Sequence, residues 1–115
     1  MKLKVLIEDR IEEFEIPDAL ITEGEDFFSK MDTDLDKGWQ MGHVWVEKPN
    51  QLQRCQIAAD KMTSAIHTEN EKMFMLMAAY IMKNKPDTEE IHLDSTGDIQ
   101  TIDFLEKKNV ESKNA

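Results

Sequence analysis

Apolar and polar residues alternate twice within the first sixteen positions. Leu3, Val5 and Ile7 share one side of an extended chain, Phe14 and Ile16 repeat the pattern, and Glu8-Asp9-Arg10 lies between them. A period of two suits a strand with one covered face, so the N-terminus reads as a β-hairpin ending at Pro17. From Asp18 the period changes. Leu20, Phe27, Met31 and Leu35 stand seven, four and four residues apart, on one stripe of a helix. Asp18 is a suitable N-cap, and Glu23, Glu25 and Asp26 put negative charge in the early turns. Gly24 weakens this helix by about 1 kcal/mol relative to alanine. Trp39, Gly42 and Val46 continue at spacings of three and four, which predicts a second helix to Glu47. Pro49 stops it, because proline cannot donate within a helix and disfavours helical backbone at the residue before it.

The longest regular pattern follows. Leu52, Ala59, Ile66, Met73 and Tyr80 recur every seven residues, and Cys55, Met62, Glu69 and Leu76 form a second series offset by three. Such a heptad predicts helix over about residues 51–84, opened by an Asn50 cap and closed by Lys83, Lys85 and Pro86. Glu69 breaks the pattern within the polar patch His67-Thr68-Glu69-Asn70-Glu71, so the same residues also fit a helical hairpin. The patch holds neither Gly nor Pro, which favours one continuous helix, about 50 Å long at 1.5 Å per residue. A helix of that length outruns the core of so short a chain. Met62, Ile66, Met73, Leu76 and Tyr80 are therefore expected to form the interface of a homodimer.

Beyond Pro86, residues 90–94 and 98–104 read as strands about Ser95-Thr96-Gly97, with Ile91 and Leu93 facing Ile102 and Phe104. Residues 106–115 contain one apolar side chain larger than alanine, Val110, and read as a disordered tail. The expected fold class is α+β: an N-terminal β-hairpin, a central helical block and a C-terminal β-hairpin in one domain over residues 1–105.

Charge refines this picture. Residues 1–36 hold twelve acids and four bases, a net of −8, whereas residues 37–115 hold twelve and ten, a net of −2. An acidic field repels phosphate backbones and anionic lipid and attracts basic proteins, so neither a nucleic acid nor a membrane is expected as a partner. The most apolar run, residues 73–82, is ten residues long, where a spanning helix needs about 20. No apolar leader follows Lys2 and Lys4, and Cys55 is the only cysteine, so the reducing cytoplasm is the expected location.

Candidate chemistry is sparse. Asp32-Thr33-Asp34-Leu35-Asp36 resembles the opening of an EF-hand loop, with carboxylates at alternate positions for a hard cation. It departs from that pattern at the sixth slot, Lys37 instead of Gly, and at the twelfth, His43 instead of the bidentate Glu. Asp32, Asp34 and Asp36 are thus weak metal candidates, with capping of an inter-helix junction as the plainer role. Met73, Met75, Met77 and Met82 offer thioethers to copper(I), but residues two apart on a helix diverge by about 200°, and packing explains them better. Cys55 and His67 are about 18 Å apart along one helix, so an enzyme would need a site across a dimer, using Cys55, His67 and Glu71. His43 with Glu47, and His67 with Glu71, read as surface neighbours. No catalytic residue and no cofactor is assigned.

Trp39 and Trp45 are six residues apart and point to opposite sides of a helix, leaving one as a candidate anchor. Trp39 with Glu23, Glu25, Asp26, Asp32, Asp34 and Asp36 is the expected surface for a basic protein. The reading is therefore a small acidic, non-enzymatic interaction or regulatory module. A divalent-cation-binding protein and a nucleic-acid-mimicking inhibitor of a basic protein are the alternatives.

Overall fold

The two terminal strand pairs join into one sheet. In a computed structural model that describes residues 1–93 and 98–107, β1 (Lys2–Ile7) pairs antiparallel with β2 (Arg10–Glu15) and parallel with β5 (Thr88–Leu93). β6 (Asp103–Glu106) then pairs antiparallel with β5, giving the order β2-β1-β5-β6. Between β1–β2 and β5 come α1 (Ala19–Glu23), α2 (Glu25–Leu35), a small hairpin of β3 (Trp39–Met41) and β4 (Val44–Val46), α3 (Gln51–His67) and α4 (Glu71–Asn84). The architecture is α+β. β1 and β5 can be parallel because this whole block serves as their crossover. Leu3, Val5, Ile91, Leu93 and Phe104 are buried on the helix-facing side. The opposite side sets Lys4 beside Glu13 and Glu90, and Leu6 beside Ile11 and His92.

Both ends differ in detail from the expected strands. Glu8 at φ 58 occupies the first position of a two-residue turn, so Arg10–Glu13 lengthen the second strand. Asp98 caps a 3-10 turn over Ile99–Thr101, which shortens β6, and Glu106 ends that strand instead of opening a tail. The Ser95-Thr96-Gly97 turn and residues 108–115 lie outside the described residues.

The 51–84 segment is a helical hairpin and not the favoured continuous helix. Its turn needs neither Gly nor Pro because Glu69 itself adopts the left-handed conformation, φ 56. The Asn70 N–H donates to the Ala65 carbonyl at 2.8 Å and the Glu69 N–H to Ile66 at 3.2 Å, the paired bonds of a Schellman motif. Asn70 then accepts from the Met73 N–H at 3.1 Å and caps α4. The helices close on each other, with Cys55, Ala58, Ala59 and Met62 buried on α3 and Met77, Ala78, Tyr80 and Ile81 buried on α4. The longest extent of the molecule is 42 Å, so no 50 Å helix is left needing a second chain to cover it. Because Gly carries no steric penalty at φ 56, Glu69→Gly should raise stability by about 1 kcal/mol in urea unfolding. A loss would contradict this turn geometry.

Residues 39–47 are a β-hairpin, not a second helix. Trp39 pairs with Val46, Gln40 with Trp45 and Met41 with Val44. Two aromatics and two valines favour extended backbone, and Gly42 at φ 64 supplies the positive φ wanted at the first of two loop positions. Gly38, at φ 104, lies so close to Trp45 that a Cβ there would stand 2.3 Å from the indole Cζ2. The first helix is also broken. α1 and α2 meet at Gly24, where a Cβ would come within 2.7 Å of Phe28. The buried stripe of α2 is Phe28, Met31 and Leu35, while Phe27 is exposed.

Candidate functional site

The alternating aspartates lie on or at the end of α2, not in a loop, and helix geometry separates them. Asp32 and Asp36, one turn apart, face α3, and Asp34 points about 200° away from both. Arg54 of α3 answers the first two: Nη1 lies 3.2 Å from Asp32 Oδ1 and Nη2 lies 2.5 Å from Asp36 Oδ1. Its Nε donates to the Pro49 carbonyl at 2.8 Å and Nη1 also reaches the Asp32 carbonyl at 3.2 Å. From α4, the buried Tyr80 hydroxyl donates to Asp32 Oδ1 at 2.5 Å. Asn84 donates to the Tyr80 carbonyl at 2.9 Å, and Gln51 to the Asn84 carbonyl at 2.7 Å. These side chains surround a polar hollow of about 250 Å³.

Electrostatics follow from this clasp. The hydrogen bond from Arg54 holds the Asp36 carboxyl below its ordinary value. Burial first, and the Asp32 hydrogen bond second, push the Tyr80 hydroxyl up. Arg54 thus neutralises two of the three candidate cation ligands while the third faces elsewhere. Among the described residues no group of three His, Cys, Asp or Glu is placed to hold a metal ion. The clasp ties α2 to α3 and α4, a role for which sequence offered only the capping alternative.

Cys55 is fully buried, and burial pushes its thiol up to about 11. A nucleophile needs the reverse, a lowered value and access. His67 and Glu71 are exposed around the α3–α4 turn, whereas Cys55 lies inside the core. The native thiol should resist a disulfide reagent at pH 8 and titrate as one per chain only after denaturation. Labelling of the folded protein at the rate of free cysteine would contradict this burial. Of the stripe assigned to a dimer, Met62 and Tyr80 are wholly inside the chain's own core, while Ile66, Met73 and Leu76 are partly exposed.

Trp39 has concave surface on two sides. With Phe27, Met31, Leu35, Met73 and Met77 it lines a groove of about 280 Å³ between α2 and α4, bordered by Lys30, Asp34 and Lys61. A second hollow of about 310 Å³ shares Trp39, Lys61 and Met73 and is bordered by Asp60, Ser64 and Thr68. The Lys61 ammonium sits over the indole, 4.6 Å from its centroid. Trp45 is the more exposed indole, at 56% against a half-buried Trp39. Glu25 and Asp26 occupy the first turn of α2, where its dipole favours negative charge, and with Glu23 they are exposed. Phe27 and Lys61 were not singled out as site residues from sequence. Phe27 satisfied the core spacing, and Lys61 acquires its position only when the β3–β4 hairpin brings Trp39 across α3.

Among the described residues no helix is long and apolar enough to cross a membrane. No protein-family model matches this chain, and no curated protein or solved structure matches it.

Proposed function

We propose that this protein is a small acidic interaction module that docks a basic protein segment in the groove beside Trp39. The observation that carries the reading is the groove itself: Phe27 and Trp39 stand at an apolar hollow floored by Met31, Met73 and Met77, with Asp34, Lys30 and Lys61 on its border. Methionine adapts its shape to different ligands, and tryptophan is a favoured anchor in interfaces. Lys61 covers one face of the indole, so the apolar contact with a partner falls to the rest of the groove. The formal charge of −10 draws a basic partner toward the surface. Self-association through Ile66, Met73 and Leu76 is the competing use, since Met73 belongs to both surfaces.

Affinity capture from a native lysate at low salt, with a salt step and mass spectrometry, tests the proposal when run beside Phe27→Ser and Asp34→Lys baits. The expected result is a stoichiometric basic protein that salt releases and that neither variant recovers. Equal recovery by the variants, or recovery of bait alone, would count against it. A mass that rises with concentration in sedimentation would favour the competing dimer.

A further inference from the structure

We propose that the free edge of β2, with the cleft behind it, takes an extended peptide segment whose apolar side chains alternate with Lys or Arg. This site is separate from the Trp39 groove and does not depend on it.

Among the described residues β2 ends the sheet order and is paired on its β1 side alone. Six residues span about 20 Å of edge, enough to template another strand. Phe14 opposite Leu3, Glu12 opposite Val5 and Arg10 opposite Ile7 place these three on the helix-facing side of β2. The helices do not fill the space over that end. A cleft of about 360 Å³ remains between β2 and the α3–α4 turn. Its apolar lining includes Ile7, Phe14, Ile66, Phe74 and Met75, with the Phe14 and Phe74 rings 4.7 Å apart.

Charge selects the occupant. Glu12, Glu69 and Glu71 rim the cleft against a single cation, Arg10, which pairs with Glu12 at 3.7 Å. Glu69 takes its place there in a backbone conformation that favours glycine, φ 56. On the other side of β2, Glu13 and Glu15 flank the sheet surface beside Ile11, with Glu13 opposite Lys4 and Glu15 bonded to the Met1 ammonium at 2.8 Å. A strand added in register would stand about 5 Å from β2, its inward residues over the cleft and its outward residues beside Glu13 and Glu15. Apolar inward residues suit the cleft lining, and cations between them suit a strand in which Glu12, Glu13 and Glu15 outnumber Arg10. A second copy fits poorly, because two-fold antiparallel pairing near the centre of β2 sets Glu12 or Glu13 against its own copy, and like charges directly opposite destabilise a sheet.

The probe is a capped heptapeptide of alternating lysine and valine, titrated into isotopically labelled protein and followed by backbone amide shifts. Shifts concentrated in residues 10–15 and in Ile66, Glu69, Glu71, Phe74 and Met75 are expected. A peptide of equal charge with proline at its centre cannot complete the ladder and should bind about tenfold more weakly. The Glu12→Lys/Glu13→Lys protein should lose a similar factor, with its fold checked by circular dichroism. Phe27→Ser, which alters the Trp39 groove, should leave the peptide-induced shifts of residues 10–15 unchanged. If the proline peptide binds as well as the alternating one, general electrostatic adsorption replaces strand addition. Shifts confined to the Trp39 groove, or no shifts at millimolar peptide, would overturn the proposal outright.

Discussion

Replacing Phe28 by alanine should lower stability by about 3–5 kcal/mol, the range for truncating a buried phenylalanine. The ring is wholly buried and lies edge-on to Tyr80, with centroids 5.7 Å apart. Gly24 packs directly against this ring, so truncation also strips the α1–α2 junction of its contact. A domain of this size has about 5–15 kcal/mol in total, so the variant should unfold at a much lower urea concentration. The adjacent Phe27→Ala change should cost no more than about 0.5 kcal/mol, because Phe27 is 40% exposed at the mouth of a groove. Equal losses at the two positions would contradict the helical register that separates core from groove.

Arg54→Met should cost about 2 kcal/mol, through lost hydrogen bonds to the Pro49 and Asp32 carbonyls and to the Asp32 carboxylate. The loss is smaller than for a fully enclosed pair, since the Asp32 side chain is 40% exposed. Its pH dependence has a definite sign. The folded Asp36 carboxyl lies below its ordinary value of 3.8, so its contribution is present above that value and is lost as pH falls through the folded one. The stability gap between wild type and Arg54→Met should therefore be constant near neutrality and narrow below pH 3.8. A gap that widens in acid would show that Arg54 does not hold Asp36 in this way.

What could be read from the sequence was what local periodicity decides. The alternation of Leu3, Val5 and Ile7 set the covered face of β1, and Asn50 before the heptad marked the start of α3. The α+β class followed from both. Misreadings arose where two periods overlap or where a turn uses an unexpected residue. Trp39, Gly42 and Val46 satisfy helical spacing, yet β-branched and aromatic composition with Gly42 at a turn decided for strands. The α3–α4 turn was disguised because Glu69 takes the place usual for glycine, and Asn70 was the cue, as the cap of a new helix. In the candidate site, neither the Arg54 clasp nor the wall formed by Trp39 between two hollows is local. Asp32 and Arg54 are 22 residues apart, and Tyr80 is 48 from Asp32. No pattern within a short window links them.

The proposed docking of a basic segment in the Trp39 groove is read out by Trp39 emission in a Trp45→Phe variant. A capped peptide of leucine and lysine serves as probe. A saturable blue shift is expected as the peptide's apolar side chains exclude water from the groove. About 0.5 M salt should weaken the shift, and Phe27→Ser should abolish it. Unchanged emission at saturating peptide, or the same shift in the Phe27→Ser protein, would contradict it.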